Sequence, residues 1–579
     1  MTLPINVLDS RRLTGPSLLL DGPGAVLDVR LAEEDHERAV TAWHESARQL
    51  LREVGWAEER LVSRPFPGGV SLALTAPVDG LYAATELNER AWEAAAAELA
   101  GQPAPPSAAD GAVLRDAIAA EKNPALLQLW KSARSRGVTF LSGEELVSVG
   151  SGSGVLVWPS DHLPDAASID WSKVTDIPVA LITGSNGKTT VVRLLAEMVR
   201  QAGLTPGLTS TEGATAGSAL IAEGDYSGPS GARLVLRRTE VEVAILETAR
   251  GGILRRGLPM ERARVAVVTN VAEDHLGEFG IETMAQLADT KLVVAKVLDG
   301  EGTLVLNADD PMLVERHRRI AAPITWFSLD FSTAIIRQHA RRGGTTVAAR
   351  EGAIVLGSGS RWSTVASMAE VPITFGGTAE HNVANVLAAV AAGTALGLGI
   401  DPITAALRRF GRGAGDNPGR ANLVELGDVR ILIDYAHNPH GMLALVKLAQ
   451  RLSARRRLVM VGQAGDRSDE AIRQLARAAW SLRPHHVVVK DMGEYLRGRP
   501  PGQVPALLHD EFVRLGMEDR AISRAGPDVE GVRLALQWAR PGDLLVLAVH
   551  QDRPAVMALL DRLHRAGWEA GTPFPTEAA

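Results

Sequence analysis

No cysteine occurs anywhere in the 579 residues, which excludes a disulfide scaffold, thiol catalysis and Cys-based zinc sites. Lysine is scarce as well: eight of the 61 basic residues are Lys and the rest Arg, so each lysine is worth locating. The chain lacks an apolar run long enough to span a bilayer; Val386–Ile400 is the most apolar window and is mostly Ala and Gly. Its start, MTLPINVLDSRRL, shows no basic lead, apolar core and small-residue cleavage site, so no secretory signal is expected and the cytoplasm is the default location. A net charge of −7 argues against broad electrostatic binding to nucleic acid. What remains, 46% hydrophobic and 22% charged residues, is the composition of an ordinary globular protein of three or four domains.

The rhythm of the chain supplies the expected architecture. Apolar alternation over 18–31, a polar helical stretch over 33–54 and a helix-like run over 87–99 read as a small α+β domain, 1–105. The Pro/Ala/Ser-rich 101–110 reads as a loop, and 150–164 as a second Gly/Ser/Pro interruption, so 106–165 is a connecting segment. From Ile177, β-branched runs (PVALITG, VEVAILET, VAVVTN, GTLVLNAD) alternate with helical ones, the pattern of a parallel sheet with crossover helices, giving a central domain over 166–415. After the Gly-rich hinge 411–419 the alternation resumes (VRILIDYAH, RRLVMVGQAG, HHVVVKD, GDLLVLAVH) in a Rossmann-like α/β domain over 416–579. The fold class is therefore α/β, with a central P-loop domain.

Thr183–Thr190 (TGSNGKTT) follows an apolar strand and opens a helix. Glycines let backbone N–H groups approach phosphate oxygens, Lys188 reaches the β- and γ-phosphates, and Thr189 can hold Mg²⁺. The long Walker pattern wants Gly where Ile182 stands, so this loop is the shorter variety. Glu247 ends the strand VEVAILE, where a carboxylate can bind Mg²⁺; taken alone, a surface salt bridge is the plainer reading. Asp274 and His275 follow another strand, and a lone His is more often structural.

TGSNGKTT, LETARGG, TNVAEDHLG, Lys291 in ADTK, LNADDP, HNVANVLAA, PGR and DYAHNP, in this order across about 260 residues, resemble the Mur ligase superfamily of ATP-dependent amide-bond ligases. GDYSGPSGARLVLRR, LETARGGILRRGL, GDRSDEAIRQLAR and LRGRPPGQV are more narrowly similar to the Mur-ligase-like half of the cyanophycin synthetase family. The N-terminal segment resembles that family's small first domain, while its ATP-grasp domain has no counterpart here. His36 and His44 do not match the HxxEH spacing of some members, so no hydrolase site carries over.

The resemblance implies a set of roles. Gly184, Ser185, Asn186, Gly187, Lys188, Thr189 and Thr190 would hold ATP phosphates, with Thr189 and Glu247 at a first Mg²⁺. His275 and Lys291, the latter carbamylated, would hold a second Mg²⁺; the alternative for Lys291 is an ordinary exposed helix lysine. Asn382 would contact adenine, or else cap a helix. Arg420 would reach the γ-phosphate, and Asp434 with His437 would meet ribose and adenine. Asp466, Arg467, Glu494 and Arg497 would contact the incoming amine, or simply form a solvated loop.

The implied activity is ligation through an acyl phosphate, attaching an amino acid such as arginine to a side-chain carboxylate of cyanophycin or a related acidic peptide or polymer. A complete synthetase could supply the backbone. Alternatives are a ligase joining preformed β-aspartyl-arginine-like dipeptides or tailoring another small peptide, and a catalytically silent ATP- or polymer-binding partner of a synthetase. No nucleic-acid or membrane partner is expected, and a homodimer is the prior guess.

Overall fold

The computed structural model describes residues 6–102, 107–274, 276–413 and 415–575. The first unit is a four-stranded antiparallel sheet in the order Asn6–Leu13, Gly24–Arg30, Gly69–Thr75, Leu61–Phe66, covered by the helices His36–Glu53 and Leu81–Leu99. Alternate residues of the two inner strands, Leu27, Val29, Leu72 and Leu74, pack on Trp43 and Trp92. Each such burial contributes about 1.5–3 kcal/mol. Asn88 accepts from the Trp43 indole at 2.8 Å and donates to the Leu72 carbonyl at 2.9 Å, while the Trp92 indole N–H is buried without a partner.

Two expectations for the connecting region need correction. The loop expected over 101–110 gives way to a helix from Ser107 to Glu121, whose Asp110 pairs with Arg90 at 2.6 Å and whose Leu114 enters the first core; positions 103–106 lie outside the described residues. The cue is lost because six of the helix's 15 residues are Ala, leaving little apolar periodicity. The Gly/Ser/Pro interruption at 150–164 contains a strand, Leu156–Pro159, which completes a three-stranded antiparallel sheet with Phe140–Ser142 and Leu146–Val149. It pairs with the backbone of the buried strand Leu146–Val149, whose other edge is taken by Phe140–Ser142.

The central unit is an eleven-stranded sheet. Its parallel centre runs Pro206–Ser210, Val243–Glu247, Val179–Thr183, Ala263–Val268, Leu298–Asn307, Ile324–Ser328, Thr345–Arg350, and antiparallel strands extend it at both edges. The fully buried strand Val179–Thr183 reads as an unbroken apolar run because helices cover both faces. On one face Val191, Leu194, Val386 and Leu387 of the helices Lys188–Gln201 and Glu380–Ala395 form the core; on the other, Leu181, Leu246, Ile253 and Leu287 do. Register decides the chemistry: Glu247 lies beside Ile182, and Val268 beside Thr183, so three strands end together at one edge.

The last unit is a six-stranded sheet in the order Asn422–Leu426, Val429–Asp434, Leu544–Ala548, Arg457–Val461, His486–Lys490, Ile522–Ala525, parallel except for its first pair. Its strands end toward the central domain, the edge where open α/β sheets bind ligands. No helix among the described residues is long and apolar enough to cross a membrane.

Candidate nucleotide and acceptor site

Between the ends of the two parallel sheets lies a cavity of about 1110 Å³. All of Gly184–Thr190 line it, together with Glu247, Lys291, Asn382, Arg420, Asp434, His437, Asp466, Arg467 and Arg497. Residues drawn from six stretches of sequence thus meet in one space. Glu494 does not line it: the short turn Gly493–Tyr495 presents Tyr495 instead. His275 lies outside the described residues.

The phosphate loop is held by neighbours that supply hydrogen bonds without charge. Ser185 Oγ donates to the Ala272 carbonyl at 2.8 Å, and the Asn186 N–H donates to Asn270 Oδ1 at 3.0 Å. Thr269 Oγ1 donates to the Asn186 carbonyl at 2.6 Å. Gly187 opens the helix in the left-handed region at φ 86°, and a Cβ there would come 2.1 Å from Asn385 Oδ1. Only glycine fits both constraints. Lys188 folds its ammonium onto the Gly184 and Ser185 carbonyls at 3.1 and 3.3 Å, within the loop that it would leave for a phosphate.

Glu247 is 2% exposed, which overturns its reading as a surface ion pair. One carboxylate oxygen accepts from Thr189 Oγ1 at 2.8 Å; the other is buried without a partner. Burial pushes its pKa up, against the opposing Lys188 charge and Thr189 hydrogen bond. A buried carboxylate with a free oxygen beside a loop hydroxyl is a hard-oxygen donor set that fits Mg²⁺, which takes one or two carboxylates and completes its shell with phosphates and water. Among the described residues no cluster of three or more His, Asp or Glu could hold a metal by itself.

Lys291 is 3% exposed, so the exposed-lysine alternative also falls. Burial, and then the Lys188 charge, push its pKa down to about 7, with Asp274 and Asp310 acting the other way. Among the described residues it makes no hydrogen bond or ion pair.

Arg420 donates to Thr189 Oγ1 at 3.4 Å, its guanidinium carbon lies 4.5 Å from the centre of the Tyr435 ring, and its Nε is buried without a partner. Asn382 does not cap its helix, whose cap position is Ala379. Instead it donates to the Ile373 carbonyl at 2.9 Å and accepts from Asn385 at 3.2 Å. Asp434 is half-buried, its pKa raised by desolvation, and accepts from the Ala421 N–H at 2.7 Å; His437 shares Nδ1 with the Tyr435 carbonyl at 3.1 Å. Asp466 bridges Arg467 at 3.0 Å and Arg497 at 3.1 Å, so this loop is an ion-pair network at the cavity wall.

Several contacts escaped sequence reading although their residues sit inside conspicuous motifs. Asn385 stands three residues after Asn382 in HNVAN, one helical turn on, and so faces the same loop. Asn186 reaches across the domain boundary to His440 Nδ1 and to Asn438, each at 3.0 Å. Glu212 pairs with Arg193 at 2.5 Å and with Arg553 at 2.6 Å, tying the central domain to the last.

A phosphate loop, a buried metal-fitting carboxylate and a second α/β domain closing the same cavity define a nucleotide-using two-domain protein. Residues 182–393 match the model of the Mur ligase middle domain, and 419–549 that of the Mur ligase glutamate ligase domain, together more than half of the chain. The chain belongs to the Mur ligase family of ATP-dependent ligases. It is 39% identical over 372 residues to cyanophycin synthetase of Crocosphaera subtropica, a match covering 64% of this chain and 42% of that one. It thus spans about two fifths of the length of such relatives. To UDP-N-acetylmuramoyl-L-alanyl-D-glutamate–2,6-diaminopimelate ligase of Listeria monocytogenes it is 26% identical over 395 residues, covering 65% and 74% of the two chains. A solved structure of E. coli FolC in complex with ADP is similar at 18% identity and TM-score 0.49, over 67% of this chain and 90% of that one.

Proposed function

We propose that the chain is an ATP-dependent carboxylate–amine ligase acting through an acyl phosphate. Its acceptor is cyanophycin or a related acidic peptide, and it attaches an amino acid such as arginine to a side-chain carboxylate. The observation that carries this reading is the unpartnered, buried oxygen of Glu247, set beside Thr189 in the cavity that both α/β domains line.

Lys188 and Arg420 gather around the γ-phosphate and stabilise the charge that spreads over its oxygens as the acceptor carboxylate attacks phosphorus. The new carboxylate O–P bond forms as the bond to the ADP oxygen breaks. The amine nitrogen then bonds to the acyl carbon, phosphate leaves, and the amine gives up a proton. Mg²⁺ held by Thr189 and Glu247, with a second ion at Lys291 and His275, would supply charge neutralisation on the phosphates and the acceptor. Lys291 would serve there as a carbamate: a pKa of about 7 leaves much of the amine neutral near pH 7, nitrogen bonds to CO₂, and one N–H proton departs. Asp466, Arg467 and Arg497 form the charged wall that an amino-acid amine substrate would meet.

The test is phosphate release from Mg-ATP across acceptors (poly-aspartate, cyanophycin, β-aspartyl-arginine, short acidic peptides) and amines (Arg, Lys, Asp, Glu, none). Release is expected to require one acceptor and one amine, and to fall about 10²–10³-fold in Lys188→Ala. Release with the dipeptide alone would mean polymerisation of preformed units. No acceptor-dependent release with any pair would sink the reading in favour of a silent binding partner.

A further inference from the structure

The cavity extends well beyond the nucleotide half. The seven-residue helix Arg250–Arg256 follows the Glu247 strand, and at its far end Arg255 and Arg256 line the same space as Lys188 and Glu247. The N-terminal domain fixes that end. The Thr14 N–H donates to the Arg256 carbonyl at 2.8 Å, the Leu258 N–H to the Pro16 carbonyl at 2.7 Å, and Arg11 Nε to the Leu254 carbonyl at 2.8 Å. Gly257 has φ 78°, and a Cβ on it would come 2.4 Å from the Gly15 carbonyl, so the two backbones touch where only glycine fits.

The charges at this junction do not balance. Arg250 pairs with Glu278, and Arg11 with Asp28 and Asp9. Arg255 and Arg256 are exposed, and among the described residues neither lies within ion-pair distance of a carboxylate. Arg255 rests 5.6 Å from the Phe279 ring, and Arg256 donates only to the Arg12 and Arg255 carbonyls at 3.4 Å. Behind them Arg233 donates to Thr14 Oγ1 at 3.3 Å while its Nε is buried without a partner. Burial, and then the Arg256 charge, lower its pKa. Three neighbouring guanidiniums without a carboxylate, on a chain of net charge −7, form a local positive field opening into a substrate cavity.

We propose that Arg255 and Arg256 form an acceptor subsite that binds a second carboxylate, so that the acceptor is a peptide carrying at least two. This rests on the ligase reading for its reacting end, at Lys188 and Glu247. Six residues of helix rise about 9 Å, which two to three residues of extended peptide would span. A guanidinium pairs with a carboxylate through two parallel hydrogen bonds, so the pair of arginines selects acidic side chains over neutral ones of equal size. The N-terminal domain acquires a role here: it fixes the end of the arginine-bearing helix through two backbone hydrogen bonds and the Arg11 side chain.

The experiment is binding of fluorescein-labelled hexa-aspartate, read by anisotropy in Mg-AMPPNP, with hexa-asparagine as the neutral control. The wild type is expected to bind hexa-aspartate in a salt-sensitive way. The double variant Arg255→Gln/Arg256→Gln should weaken it about tenfold or more, the loss of one or two charge-assisted hydrogen bonds, without changing AMPPNP affinity. Arg255→Lys/Arg256→Lys should restore only part of the binding, since lysine returns the charge but not the two parallel hydrogen bonds. Unchanged binding in the Gln variant, equal binding of hexa-asparagine, or no binding by the wild type would overturn the subsite. If binding depends on both arginines while no acceptor elicits phosphate release, the ligase reading falls and the subsite stands.

Discussion

Two of the eight lysines are buried, and their surroundings are opposite. Lys490, fully buried at the end of the strand His486–Lys490, is paired with Asp528 and bonds His550 Nδ1 at 3.0 Å. Asp528 in turn accepts from the His550, Gln551 and Asp552 N–H groups at 2.9, 2.6 and 3.1 Å. Lys291, in the central domain, has no such partner among the described residues, and burial has pushed its pKa down to about 7. A structural ammonium is compensated by a carboxylate that is itself hydrogen-bonded. An uncompensated one is a cost to folding, of the sort that persists where chemistry uses it. The contrast sets a compensated lysine in the last domain against an uncompensated one that lines the cavity and is the one proposed for catalysis.

The comparison breaks most visibly at Lys490. Lys490→Met leaves Asp528 charged and buried, and thermal or urea unfolding should show a loss of about 3–5 kcal/mol. Lys490→Met combined with Asp528→Asn should recover part of it, because the amide removes the uncompensated charge and keeps an acceptor for the His550, Gln551 and Asp552 N–H groups. If the double variant is as unstable as the single, the pair is not what holds the cluster.

Lys291→Met should do the reverse: stability kept or raised, and phosphate release reduced about 100-fold or more, the several kcal/mol that a held metal contributes. Full activity in this variant would remove Lys291 from the proposed reaction. The same lysine sharpens the contrast through pH. Its pKa in the fold, about 7, lies below the ordinary 10.5, so between those values the unfolded chain binds the extra proton and stability rises with pH. In CO₂-free buffer the unfolding free energy of the wild type should gain about 2.5 kcal/mol from pH 7 to 9 relative to Lys291→Met. Parallel curves for the two proteins would show that Lys291 is charged in the fold.

How far the sequence reveals this arrangement depends on how local each feature is. Thr183–Thr190 was legible because strand, glycines, lysine and helix start lie within eight residues, and the loop's geometry follows from them. Glu247 was legible as a strand end, but its burial and its bond to Thr189, 58 residues away in sequence, come from the pairing of its strand with Val179–Thr183. Lys490 was hidden, because HHVVVKD reads simply as a strand and nothing nearby announces Asp528, 38 residues on. The docking of Gly15 on Gly257 was equally silent, since Gly15-Pro16 signals only a local turn and nothing in the sequence pairs it with a glycine 242 residues on. Ala-rich helices such as Ser107–Glu121 carry too little apolar periodicity to be told from a linker.

The smallest expected effect lies at His550, the third member of the Lys490 cluster. A lysine ammonium can only donate, so Nδ1 of His550 accepts from it and the ring proton sits on Nε2, which donates to the Ala436 carbonyl at 3.2 Å. Burial, and then the Lys490 charge, hold its pKa well below the ordinary value, so the ring stays neutral and locked in one tautomer. Both nitrogens are thus occupied by structure although the ring borders the cavity. A glutamine offers one acceptor and one donor at similar reach, so His550→Gln should cost about 1 kcal/mol in unfolding and leave the pH profile of phosphate release unmoved. A shifted profile, or a loss of turnover as large as that in Lys291→Met, would place His550 with the machinery and dissolve the division between the two lysines.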